Sequence, residues 1–196
     1  MYTNLGQVMP QGAAKYGNRV ALVFKGEEFS YNRLNDLSAK LANGLKRLGV
    51  TSGDRVTLYS QNRWEWIIGY YAVLRLGAVI NPINVMLTPD EVVFVTKDCR
   101  AKALLASVDK GTPIVARQGE TPLQNIVLFG DEIPAGAVSF NQLIAENDGD
   151  LPELDIDPLA MSTIGYTSGT TCSKHHLQCG RANCWSKRCL RQLLYG

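Results

Sequence analysis

Short apolar runs set between segments of helical periodicity constrain this chain more than any other feature. Residues 20–24, 55–59, 79–80, 103–106, 125–129 and 160–166 each read as a strand. Between them Leu34, Leu37, Leu41, Leu45 and Leu48 recur every three or four residues, one face of a helix that stops at Gly49. Trp66, Ile67, Tyr70 and Leu74 do the same before Gly77, and Leu5, Val8, Met9 and Ala13 do so before Tyr16-Gly17. Start signals fit this reading. Ser30 and Asn62 stand where an N-cap oxygen is wanted, and Thr88-Pro89-Asp90-Glu91 puts a capping residue, a proline and two acids in order. Lys25-Gly26-Glu27-Glu28 reads as a turn, residues 139–147 as a short helix, and residues 148–158 as an acidic connector. Strands separated by helices imply βαβ units. The expected fold is therefore α/β: layered, with a largely parallel sheet and helices on both faces. Ligands of such sheets gather at the carboxyl ends of the strands.

Past the last of those ends comes Tyr166-Thr167-Ser168-Gly169-Thr170-Thr171. So many hydroxyls have no use in a core. They suit a loop that wraps phosphate oxygens with backbone N–H and side-chain O–H donors, and Gly169 permits a turn that a Cβ obstructs. Four aromatic residues, Trp64, Trp66, Tyr70 and Tyr71, sit at helical spacing and are expected to pack rather than to stack on a ligand. Cys99 is expected to be an inert structural thiol, and Arg55 and Arg63 to flank a strand and a helix.

Charge and cysteine divide the chain at the end of this loop. Residues 1–171 hold 15 Lys and Arg against 18 Asp and Glu, whereas residues 172–196 hold five basic residues and no acid. The basic balance thus belongs to the tail, and the body is not expected to bind nucleic acid. The body has Cys99 alone, and the tail has Cys172, Cys179, Cys184 and Cys189. One thiol in a long body, no apolar leader and no uninterrupted apolar span point to the cytoplasm and to no transmembrane segment.

Taken together, these residues resemble the adenylate-forming superfamily of acyl-CoA synthetases, peptide-synthetase adenylation domains and luciferases. Residues 166–171, preceded by Asp157-Pro158-Leu159-Ala160, resemble its phosphate-binding loop. Phe29-Ser30-Tyr31-Asn32-Arg33-Leu34, Gly53-Asp54-Arg55-Val56, the stretch 76–84 and Leu87-Thr88-Pro89-Asp90-Glu91 follow in the family's order. The resemblance implies an incomplete N-terminal domain of that type over residues 1–171. It also implies a two-step reaction. A carboxylic acid attacks the α-phosphorus of ATP, pyrophosphate leaves, and the thiol of coenzyme A takes the acyl group. Thr167, Ser168, Gly169, Thr170 and Thr171 would contact the ATP phosphates, with Lys174 a further contact and Mg²⁺ bridging the phosphates.

The chain then departs from the family pattern. Where the loop should continue with glycine and, later, a lysine and a second glycine, it has Cys172-Ser173-Lys174-His175-His176. Cys172 holds the glycine position and Lys174 arrives one residue early. Three readings of residues 172–196 stand: a zinc site built on four cysteines and two histidines, a basic nucleic-acid tail, and out-of-frame sequence. The cysteines lack a CxxC pair, and the break falls inside a motif, which favours the third. The expected product is the N-terminal portion of an acyl-CoA synthetase, cut within its phosphate loop and inactive alone. The rival is a non-catalytic product that binds a nucleotide or a partner.

Overall fold

After a 3₁₀ turn over Leu5–Gln7, helix α1 occupies Val8–Tyr16 and ends where Gly17 takes a φ of 57°. Strands β1 (Val20–Phe24) and β2 (Glu27–Ser30) and helix α2 (Tyr31–Arg47) follow. Next come β3 (Arg55–Tyr59), α3 (Trp64–Arg75), β4 (Val79–Pro82) and α4 (Pro89–Asp98). The chain continues with β5 (Ala103–Ser107), α5 (Val108–Val115), β6 (Asn125–Phe129), β7 (Val138–Ser139) and α6 (Phe140–Ala145). Strands β8 (Thr163–Gly165) and β9 (Leu177–Cys179) come last. The structure is a computed structural model, and it describes residues 4–152, 154–166 and the backbone of 177–179.

Seven strands form one sheet in the order β7-β6-β5-β3-β4-β8-β9. Every neighbouring pair is parallel except β8 with β9, while β1 and β2 form a separate antiparallel hairpin. Successive side chains of a strand point to opposite faces, and here both faces are apolar. Val56 and Leu58 of β3, Leu105 of β5 and Phe129 of β6 enter one core with Met9, Leu41, Ile68 and Phe140 from α1, α2, α3 and α6. Tyr59, Leu104, Ala106 and Leu128 enter a second core with Val92 and Val95 of α4 and Ile114 of α5. The expected layered α/β architecture is the one observed.

Local signals resolve with some corrections. Ser30 caps α2, its Oγ accepting from the Arg33 N–H at 3.1 Å. Thr88 and Glu91 form a reciprocal capping box at the start of α4. The turn between β1 and β2 is only Lys25-Gly26, both at positive φ, and Glu27 and Glu28 belong to β2. Asn62 does not cap α3. Arg63 takes the N-cap position without a side-chain cap, and its guanidinium donates to Glu65 in the first turn at 2.6 and 3.1 Å. Helix α5 has no counterpart in the sequence reading, because Gly111 and Pro113 mask its periodicity.

Candidate functional site at the carboxyl edge of the sheet

Strand β8 lies beside β4, with Thr163 opposite Ile80 and the Ile80 N–H donating to Ser162 O at 2.9 Å. Being parallel, β8 delivers Tyr166 to the same edge at which β3, β4 and β5 end. The Tyr166 ring packs on the α4-side core, and its hydroxyl donates to Asp98 Oδ2 at 2.7 Å. Burial, then the adjacent carboxylate, push the phenol far above its usual range, so it stays a donor throughout the physiological range. Strand β9 returns antiparallel to β8, with Leu177 opposite Gly165. The sequence-derived phosphate contacts Thr167, Ser168, Gly169, Thr170, Thr171 and Lys174 lie outside the described residues, as does most of the Cys- and His-bearing tail. Among the described residues no group of three or more His, Cys, Asp and Glu is placed to hold a metal ion.

A second cluster on this edge was not foreseen from the sequence. Strand β4 lies on one side of β3 and β5 on the other, so the connectivity reverses at β3. There Gln61 Nε2 donates to Asp109 Oδ2 at 3.2 Å and Ser107 Oγ donates to Gln61 Oε1 at 3.4 Å, joining the loop after β3 to the junction of β5 and α5. Burial alone would raise the Asp109 carboxyl, but hydrogen bonds from Ser107, Gln61 and its own N–H bring it below the usual range. Beside this bridge an open cleft of about 450 Å³ is bordered by Ser60, Gln61, Asn62, Trp66, Pro82 and Ile83. The signal for it is topological, and no residue pattern in the sequence carries it.

The remaining singled-out residues are structural. Trp64 stacks on Phe29 with ring centroids 5.3 Å apart and meets Phe140 edge-on. Trp66 stacks on Tyr70 at 5.3 Å while also bordering the cleft. Arg55 donates to the carbonyls of Cys99 and Arg100 at 2.9 and 2.8 Å, and Asp54 binds Thr51 and Lys102, all at the edge opposite β8's end. Arg63 spends its guanidinium on Glu65 and lies over the Phe129 ring. Cys99 is buried, and burial raises its thiol.

Residues 9–173 match the AMP-binding enzyme family. The chain belongs to that family. Among curated relatives, the crotonobetaine/carnitine–CoA ligase of Salmonella enteritidis PT4 is 34% identical over 181 aligned residues. The match covers 86% of this chain and 34% of that protein. The corresponding ligase of Salmonella paratyphi A is 35% identical with the same coverage. Among solved structures, the anthranilate CoA ligase AuaEII in complex with anthranoyl-AMP superposes with a TM-score of 0.84 at 26% identity, covering 91% of this chain and 36% of that one. The N-terminal domain of FACL13 from Mycobacterium tuberculosis gives a TM-score of 0.75 at 26% identity, covering 90% of this chain and 44% of that one. The chain therefore spans about a third of the length of the curated relatives it matches. Among its described residues no helix is long and apolar enough to cross a membrane.

Proposed function

We propose that this chain is part of an ATP-dependent carboxylic acid–CoA ligase that works through an acyl-adenylate and pyrophosphate release. Its family membership supports this reading, and one observation carries it to the site. The parallel strand β8 ends at the carboxyl edge of the sheet, directly before the Thr/Ser/Gly run. On this reading Thr167, Ser168, Gly169, Thr170 and Thr171, with Lys174, give hydroxyl, amide and ammonium donors to the ATP phosphates. Donors held in place before reaction stabilise charge as it shifts onto pyrophosphate. Mg²⁺ supplies charge neutralisation of the triphosphate, and no described residue is assigned to it. Coenzyme A is the thiol acceptor, and the setting is cytoplasmic.

The 196-residue chain alone does not complete this reaction on our reading. Residues 1–171 form the AMP-binding part, and residues 172–196 are out-of-frame sequence, as their abrupt gain in cysteine and basic charge suggests. Exchange of labelled pyrophosphate into ATP, run with a panel of carboxylic acids, tests the first statement. The expected result is no exchange above background, and measurable exchange refutes the inactive reading. Resequencing the DNA around codon 172 tests the second: another frame there should encode glycine followed by the family's lysine and glycine.

A further inference from the structure

Two peptide steps in this chain place an Asn or Asp before a Gly, Asn43-Gly44 and Asp148-Gly149. Such a step can close on itself. Glycine has no Cβ to shield its N–H, so its nitrogen reaches the side-chain carbonyl carbon of the residue before it. The fold brings these two steps into contact and treats them oppositely.

Asn43-Gly44 lies inside α2, where each backbone N–H is bound to the carbonyl four residues back. Gly44 is buried, and a Cβ there would lie 3.2 Å from Leu143 Cβ. Asp148-Gly149 lies in the connector after α6, with both residues exposed and outside any helix or strand. The side-chain amide of Asn43 reaches across to it. Asn43 Nδ2 donates to Asp148 O at 3.1 Å, to Asp148 Oδ1 at 3.3 Å and to Asp150 O at 3.0 Å. The Asp150 N–H donates to the same Asp148 Oδ1 at 3.2 Å. Gly149 itself is pressed on α2, where a Cβ would collide with Asp36 Oδ1.

We propose that Asp148 is a site of spontaneous backbone modification, isomerising to isoaspartate through a cyclic imide, and that Asn43 is its brake. The Gly149 nitrogen bonds to Cγ of the protonated Asp148 carboxyl, the C–O bond to the hydroxyl breaks, and water leaves with the amide proton. Water then opens the imide. Attack at the side-chain carbonyl restores aspartate, whereas attack at the main-chain carbonyl routes the backbone through Cβ and Cγ, one methylene longer. Nothing is oxidised or reduced. Ring closure must turn the carboxyl away from the Asn43 amide and the Asp150 N–H, so these hydrogen bonds oppose it. The added methylene then takes Asp148 and Asp150 out of register with Asn43 and releases this end of the connector from α2.

The test ages the full 196-residue chain in heavy-oxygen water at body temperature, folded and in urea. Mass spectrometry locates the heavy oxygen that imide opening leaves, and endoproteinase Asp-N, which cuts before aspartate but not before isoaspartate, reports the product. In the folded chain, label and isoaspartate should build up at 148 and not at 43; in urea both steps should react. Asn43→Ala should speed the reaction at 148 by about three- to tenfold, and Asp148→Glu should abolish it. Asn43→Asp keeps the shape and loses the donor, so it must also speed the reaction, and it decides the matter if the alanine variant melts early. Absence of label at 148 in the folded chain overturns the proposal, as does label at 43 accruing as fast as at 148. Folded Asn43 variants that react at the wild-type rate remove the brake.

Discussion

Replacing Asp54 by alanine should lower stability and leave nucleotide affinity alone, although Asp54 stands in one of the sequence blocks that carry the family resemblance. Its Oδ2 accepts from the Thr51 N–H at 2.8 Å, the Thr51 hydroxyl at 2.9 Å and Lys102 Nζ at 2.8 Å. Hydrogen bonds to a charged group contribute about 1.5–3 kcal/mol each when well protected. Here the Asp54 and Lys102 side chains are 20% and 23% exposed, and Lys102 keeps a second acceptor in Gly49 O. Discounting for that solvent access, Asp54→Ala should cost about 2–3 kcal/mol in total. For a chain of this size that is a fall of about 4–12 °C in the thermal midpoint. The loss should depend on pH. Burial alone would raise the Asp54 carboxyl, but the Lys102 and Thr51 contacts outweigh it and depress it below the ordinary carboxylate value. A depressed carboxylate stabilises the fold above its unfolded pKa of about 3.9, and the contribution fades as pH falls through the folded value. Thermal unfolding by far-ultraviolet circular dichroism, run from neutral pH down to about pH 3, should show the gap between wild type and Asp54→Ala shrinking with acid. A gap under about 0.5 kcal/mol at neutral pH, or one that persists in acid, refutes the reasoning. So does a variant of unchanged midpoint that has lost MgATP affinity, since Asp54 would then belong to the site.

Three further outcomes follow from local geometry. Gly77 has a φ of 66°, and a Cβ there would lie 2.8 Å from Ser52 Oγ, so Gly77→Ala should destabilise by about 1–2 kcal/mol from backbone strain alone in denaturant melts. Thr88→Ala removes one half of the α4 capping box and should cost about 1 kcal/mol by the same measurement, a loss that Thr88→Ser should largely avoid. Cys99, buried and with its thiol raised by burial, should resist iodoacetamide in the folded chain and react once the chain is unfolded, as read by mass spectrometry of the peptide that carries it.

The body of the fold was legible because its signals are local and agree with one another. Leu34, Leu41 and Leu45 mark the buried face of α2, and Ser30 marks its start. Thr88, Pro89 and Glu91 mark α4 as plainly. What was missed depends on contacts between elements or on conflicting residues. Gly111 in α5 stands so close to Leu128 that a Cβ there would collide with it, so a residue that weakens the helical pattern is required by packing. Glu27 and Glu28 read as turn residues because their pairing with Phe24 and Val23 is visible only in three dimensions. The site divides the same way. Tyr166 and the Thr/Ser/Gly run announced themselves by composition, whereas Asp98 and the Gln61–Asp109 bridge depend on how strands and helices are ordered around the sheet.

The central claim is that the run after β8 holds the phosphates of ATP. Titration of the wild-type chain with MgATP, beside a variant carrying Thr170→Ala and Thr171→Ala, tests it most directly. We expect saturable binding by the wild type and at least about tenfold weaker binding by the variant at an unchanged thermal midpoint. Equal affinity in the two proteins, or no saturable binding by the wild type, contradicts it.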